Sequence, residues 1–206
     1  MTRRELALFG AALLALGPLD PAWAAGDPAG VIRSLDDALL ASMKAPPGTS
    51  FQSREASLRP VIERAYALPV VLRAVVGLRY DSFPDDQKAT LLEAFTRFTV
   101  ASYVSNFNSY SGERFEVTPT VPGTGARVTV PSRILPASGE ATAIDYVMQP
   151  DNAGDWRIVD VLLAGTISRV AVQRSDFRSL VAQGNAAALI RSLQNKVAAL
   201  EGGQKS

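Results

Sequence analysis

Asp145, Asp160, Tyr103 and Tyr146 are the residues whose types and placement could support chemistry in this sequence. The two aspartates fall in neighbouring strand-forming stretches, and a carboxylate pair so placed can divide acid and base duties. Asp145 beside Tyr146, with Tyr103 from an aromatic-rich helical stretch, is a set that an isomerase or dehydratase would use inside an apolar pocket. Other chemistry is sparse. The chain has no His and no Cys, which excludes Ser–His and Cys–His nucleophilic machinery and leaves zinc and copper without their usual ligands. Neither standard spacing of a Gly-rich phosphate loop occurs. No metal and no cofactor is expected. A plainer reading of Asp145 and Asp160, which we favour, pairs them with Arg79 or Arg174 or bonds them to backbone amides. Arg79, Tyr80 and Asp81 could border a pocket mouth, and solvated loop residues would look the same.

The elements that must hold these residues follow from periodicity. Asp27-Pro28 is a cap followed by a first-turn proline, and Val31, Leu35, Leu39 and Met43 then recur every four residues, so a helix is predicted until Ala45-Pro46-Pro47-Gly48. A second helix is expected from about Ser53 to Ala67, with Pro60 either kinking it or lying in its first turn. Pro69 opens a short third helix that Gly77 ends. Ser82-Phe83-Pro84-Asp85 reads as a cap for a long helix from about Asp85 to Tyr110, with Leu91, Leu92, Phe95, Phe98, Tyr103, Val104, Phe107 and Tyr110 as its stripe. That stripe is core packing or the wall of a ligand cavity. From Glu113 the period changes to two. Strands are predicted at Arg114–Val117, Ala126–Val130, Thr142–Met148 and Trp156–Leu163, and four successive strands without helices between them make an antiparallel meander. Val159–Leu163 has Asp160 as its one polar residue, as expected of a strand covered on both faces. Ser175 should cap a helix ending at Gly184, and Asn185 should cap a last helix carrying Leu189, Leu193, Val197 and Leu200. Helices, sheet and helices in that order predict an α+β domain, with a bent antiparallel sheet of about four strands packed against helices.

The N-terminus supplies an address. Arg3 and Arg4 precede an apolar run from Leu6 to Leu16, and Ala22-Trp23-Ala24 follows Gly17, Pro18 and Pro21. Positive flank, short apolar core and small-x-small site form a secretory signal, so residues 1–24 are expected to be removed near Ala24. A spanning helix needs roughly 20 apolar residues, about twice this run. Thr2-Arg3-Arg4 also permits a twin-arginine signal, although Glu5 and the ordinary length favour the general route. Residues 25–200 should form one domain, and 201–206 a polar, disordered tail. The net charge of +1 gives no electrostatic support for nucleic-acid binding. An exported chain without cysteine depends on its hydrophobic core for stability.

The last third of the chain resembles a known family. Asp145-Tyr146, a turn, Trp156-Arg157-Ile158-Val159-Asp160-Val161, Gly165, Ser168, Arg174-Ser175-Asp176-Phe177 and Gly184 occur in that order. Upstream, Gly77-Leu78-Arg79-Tyr80, Ala94-Phe95 and Tyr103 fit the same order. The pattern resembles the MlaC-type periplasmic phospholipid-binding proteins, auxiliary components of Mla-type ABC transporters, over nearly all of residues 25–200. Where the family often has Trp after its Arg-Tyr pair, this chain has Asp81-Ser82. Residues Gly165 to Ser175 look more like the hopanoid-associated HpnM branch. The resemblance implies an NTF2-like fold, a monomer, and a lipid (hopanoid or phospholipid) held in an apolar cavity. It also implies an inner-membrane transporter complex as partner, with an outer-membrane complex as a further one.

A carrier needs little chemistry. Each exposed methylene costs about 0.8 kcal/mol, so a chain of roughly 16 carbons costs on the order of 12 kcal/mol in water. The cavity candidates are Leu72, Val75, Phe95, Phe98, Tyr103, Phe107, Val128, Ile144, Tyr146, Ile158, Leu162 and Ile167. Each is also readable as filled core. Arg169, Arg174 and Arg178 could meet headgroups or a partner, or form a solvated face. Two alternatives stand beside the carrier. One is an NTF2-like isomerase or dehydratase using Asp145, Tyr103 and Tyr146. The other is a cargo-free adaptor protein of the cell envelope.

Overall fold

Asp27 starts the first helix by accepting a hydrogen bond from the Ala29 amide at 3.0 Å. The structure is a computed structural model that describes residues 26–203. The expected secretory signal and residues 204–206 lie outside the described residues. Helix α1 (Pro28–Met43) buries Ile32, Leu35, Leu39 and Met43. Ile32 replaces Val31 at the start of the stripe, because a 3.6-residue turn drifts away from a strict spacing of four. Ser50 caps α2 (Phe51–Ala65), which begins two residues earlier than expected and contains Pro60 in its interior. Helix α3 (Leu68–Val76) ends at Gly77, whose φ of 75° and ψ of −152° suit glycine. A 3₁₀ segment, Gly77–Ser82, leads into α4 (Asp85–Asn106).

Ser82 does not cap α4. Its hydroxyl donates to the Arg79 carbonyl and accepts from the Gly184 amide, tying the 3₁₀ segment to the C-terminal region. Asp85 and Asp86 instead place negative charge on the first turn of α4, where the helix dipole favours it. The helix stops at Asn106, short of the expected Tyr110, since Phe107 leaves helical geometry at φ −122° and ψ 56°.

The sheet comprises β1 (Arg114–Val117), β2 (Val121–Pro122), β3 (Val128–Leu135), β4 (Thr142–Pro150), β5 (Trp156–Leu163) and β6 (Ile167–Ser168). All neighbours are antiparallel, in the order β1-β3-β4-β5-β6, with β2 also on β3. Strands β1 and β2 pair with opposite ends of β3, through Phe115↔Ile134 and Val121↔Thr129, and so act as one interrupted edge strand. The four expected strands are present. The two short ones are too brief to show alternation. A bulge between Val147 and Met148 separates Tyr146↔Val161 from Met148↔Ile158 and locally bends β4.

The C-terminal region departs most from expectation. Ser168, not Ser175, caps a helix by accepting from the Ala171 amide. That helix, α5 (Arg169–Phe177), gives way to a 3₁₀ turn at Arg178–Leu180. Helix α6 (Ala187–Gly203) follows, with the Asn185 side chain accepting from the Ala187 amide. It continues past Glu201, where the tail was expected. Glu201 pairs with Arg97 of α4 at 2.5 Å, and Leu189, Leu193 and Val197 are buried. One continuous core joins the helices to the sheet. Among the described residues no helix is long and apolar enough to cross a membrane.

An apolar cavity between helices and sheet

Four positions on two strands make the back wall of a cavity. Ile144 pairs with Leu163 and Tyr146 with Val161, so strand alternation puts all four side chains on one face. Helix α4 supplies the opposite wall through Phe95, Thr99, Ser102, Tyr103 and Asn106, on one helical face, and Phe107 just past its end extends that wall. Leu68 and Val71 of α3, Tyr66 before it, Asp160 of β5, and Arg169, Val170 and Gln173 of α5 complete the lining. The cavity volume is about 190 Å³.

Tyr66 ends α2 in extended conformation. The Ala67 amide donates to the Ile158 carbonyl at 3.0 Å, which fixes Tyr66 against the sheet. Its hydroxyl meets that of Tyr103 at 2.5 Å. The Tyr103 ring stacks on Phe107 with centroids 5.8 Å apart, and Phe107 in turn meets Phe115 at 6.1 Å. Burial pushes the phenols of Tyr66 and Tyr146 well above their ordinary value and that of Tyr103 up to about 12. All three are neutral hydroxyls at physiological pH. Near them lies Asp36 of α1, only 4% exposed. Neither of its carboxylate oxygens has a hydrogen-bond partner among the described residues. Burial, with a smaller contribution from Asp37, raises it from 3.8 to about 7.

The aspartates singled out by sequence do not form a catalytic pair with the tyrosines. Asp145 lies opposite Leu162, one residue out of phase with Tyr146, and so faces the other side of the sheet. The Asp160 carboxylate is fully engaged: Oδ1 accepts from the Val161 and Val170 amides at 2.8 and 3.1 Å, and Oδ2 accepts from the Ser168 hydroxyl at 2.5 Å. This is the backbone-amide reading of Asp160. Arg79 and Arg174 do not pair with it: Arg79 donates to the Val181 carbonyl, and Arg174 packs beside Gly77.

Of the twelve candidate lining residues, Phe95, Tyr103, Phe107, Ile144 and Tyr146 line the cavity. The other seven are placed elsewhere for identifiable reasons. Leu72 and Val75 share the inner face of α3 with Leu68 and Val71 but are filled core, 0% and 2% exposed. Ile158 is likewise filled core, fully buried beyond the β4 bulge. Phe98 packs edge-on against Phe177 between α4 and α5. Val128 is half-buried at the far end of β3, opposite Met148. Leu162 is out of phase with its cavity-lining neighbours Val161 and Leu163. Ile167 is 53% exposed on the edge strand β6. Selection by apolarity overlooked Thr99, Ser102 and Asn106, although helical spacing from Phe95 and Tyr103 points to them. For Asp36, inside the acidic pair Asp36-Asp37, the sequence carries no such signal.

Comparison with known proteins places this architecture. A phospholipid-binding protein from Ralstonia solanacearum, solved in complex with a phospholipid at 1.53 Å resolution, superposes with a TM-score of 0.72 at 18% identity, covering 85% of this chain and 99% of that one. No curated protein matches the sequence. The family model for the MlaC protein matches residues 33–195, a span that takes in every wall of the cavity, and the chain belongs to the MlaC family.

Proposed function

We propose that this chain is a periplasmic, non-catalytic carrier that moves a membrane lipid between the inner and outer membranes as a monomer. The observation that carries this reading is the apolar cavity between α4 and the sheet, closed by α3 and α5. A lipid-carrying fold relative supports the same reading: the Ralstonia protein was solved with a phospholipid bound. The isomerase or dehydratase alternative required Asp145 beside Tyr103 and Tyr146, and Asp145 faces the other side of the sheet from Tyr146. Export by the segment 1–24, with cleavage near Ala24, would bring the chain to its membrane transporter partners.

At about 190 Å³ the cavity is smaller than the roughly 300–1,000 Å³ of pockets that enclose drug-sized ligands. In this reading a lipid chain enters as the helices part from the sheet. The experiment is solvent extraction and mass spectrometry of protein recovered from the periplasm, with a Thr99→Trp variant that fills the cavity. Wild type should yield a stoichiometric lipid, with phospholipid and hopanoid separated by mass. Thr99→Trp should retain its fold and lose most of the lipid. A wild-type protein that is recovered empty, or a variant that retains full occupancy, would overturn the proposal.

A further inference from the structure

We infer that Arg169 holds an anionic headgroup, phosphate or carboxylate, at the wall of the cavity, so that the carrier selects acidic lipids. The inference rests on the carrier reading above. Arg169 is the one basic side chain among the residues that line the cavity, and Asp160 is the one acidic side chain. Proximity of that kind ordinarily ends in an ion pair. Here it does not: no ion pair or hydrogen bond of the Arg169 side chain is found among the described residues.

The reason is visible at Asp160. Its carboxylate oxygens already accept from three other donors, the amides of Val161 and Val170 and the hydroxyl of Ser168. The guanidinium is thus left with its N–H donors uncommitted beside an apolar space. It also stands close enough to Tyr66 and Tyr103 to favour their ionised forms against the dominant effect of burial, which places its field inside the cavity. Arg169 is the first residue of the nine-residue helix α5, whose first-turn amides at Val170 and Ala171 are already taken by Asp160 and Ser168, so an anion here must be met by side chains. Gln173, one turn later, lines the same wall with amide donors. The hydroxyls of Thr99 and Ser102 are spent on the Phe95 and Phe98 carbonyls inside α4, so they do not compete for the headgroup. A guanidinium matches phosphate and carboxylate through paired N–H donors. A neutral hydroxyl lipid would leave that charge uncompensated.

Two probes with the same chain and different heads isolate the contact: oleate and oleyl alcohol, each bound to lipid-stripped protein and quantified by native mass spectrometry. Wild type should prefer oleate by about tenfold or more, as expected of a charge-assisted hydrogen bond. Arg169→Gln should bind both chains equally, and Arg169→Lys should recover most of the preference. Arg174→Gln, outside the cavity lining, should behave as wild type, and unchanged melting temperatures would show that the fold is intact. Equal binding of the two probes by wild type, or an undiminished preference in Arg169→Gln, would overturn the headgroup assignment and leave the carrier standing. Binding of neither chain would overturn the carrier reading and the assignment with it. Inorganic phosphate alone, added in excess, should not displace oleate. Displacement would show a site for free anions and refute the lipid headgroup.

Discussion

Asp36→Asn should make this protein more stable at pH 8 and leave it little changed at acid pH. The Asp36 carboxyl is buried without a hydrogen-bond partner and is raised from 3.8 to about 7. Its folded-state value therefore lies above the unfolded one, and the folded protein binds the proton more tightly. Below pH 3.8 both states are protonated and the group costs nothing. Between 3.8 and about 7 the unfolded chain ionises first, so stability falls as pH rises. Above 7 the cost is complete. At 1.36 kcal/mol per pH unit, the difference between 3.8 and about 7 is worth about 4 kcal/mol. At pH 4.5 the same linkage costs only about 1 kcal/mol. Asparagine keeps the shape and stays neutral, so Asp36→Asn removes the slope without opening a void. Urea midpoints of both proteins at half-unit steps from pH 4 to 8 measure the effect. The curves should diverge steadily, the variant leading by about 4 kcal/mol at pH 8. Parallel curves across that range would refute the burial argument, because they would mean that Asp36 ionises in the folded state as freely as in the unfolded chain.

Two further outcomes follow from local geometry. Asp160→Asn exchanges a charged acceptor for a neutral one at the start of α5, and should cost about 1.5–3 kcal/mol. Hydrogen exchange at the amides of residues 170–172 should accelerate in that variant, and unchanged protection there would show that Asp160 does not hold the helix. Gly77→Ala forces a Cβ into a backbone region with φ 75°, and that Cβ would lie 3.0 Å from an Arg174 nitrogen. A loss of about 1–3 kcal/mol is expected by thermal melting, and an unaltered melting temperature would contradict it.

The elements with strong local signals were legible in the sequence. Asp27-Pro28 and Gly77 mark the ends of α1 and α3, and alternation located the four longer strands. Helix α5 was not legible because it buries only Phe177. Val170, Ala171 and Val172 are consecutive and make no helical stripe, while Ser175 offers a false cap. The cavity was half legible. Aromatic residues on α4 and alternating residues on β4 point to its walls, but hydrophobicity does not separate Val71 from Leu72 or Val161 from Leu162. That distinction depends on strand phase and tertiary packing. Tyr66 was hidden for another reason, since an extended residue between two helices acquires its place only through the backbone bond from Ala67 to Ile158.

The interrupted border of the sheet has a consequence for how this protein can be recognised. On one side β1 contributes four residues and β2 two, the latter ending in Pro122, which has no N–H to donate; on the other side β6 contributes two. A foreign segment that joined the sheet by strand addition would need a longer run of free amides and carbonyls than either border provides. Backbone zippering between copies is blocked by the same shortage. Among the described residues, the sheet borders therefore leave recognition to side chains, features that point mutations can alter one at a time.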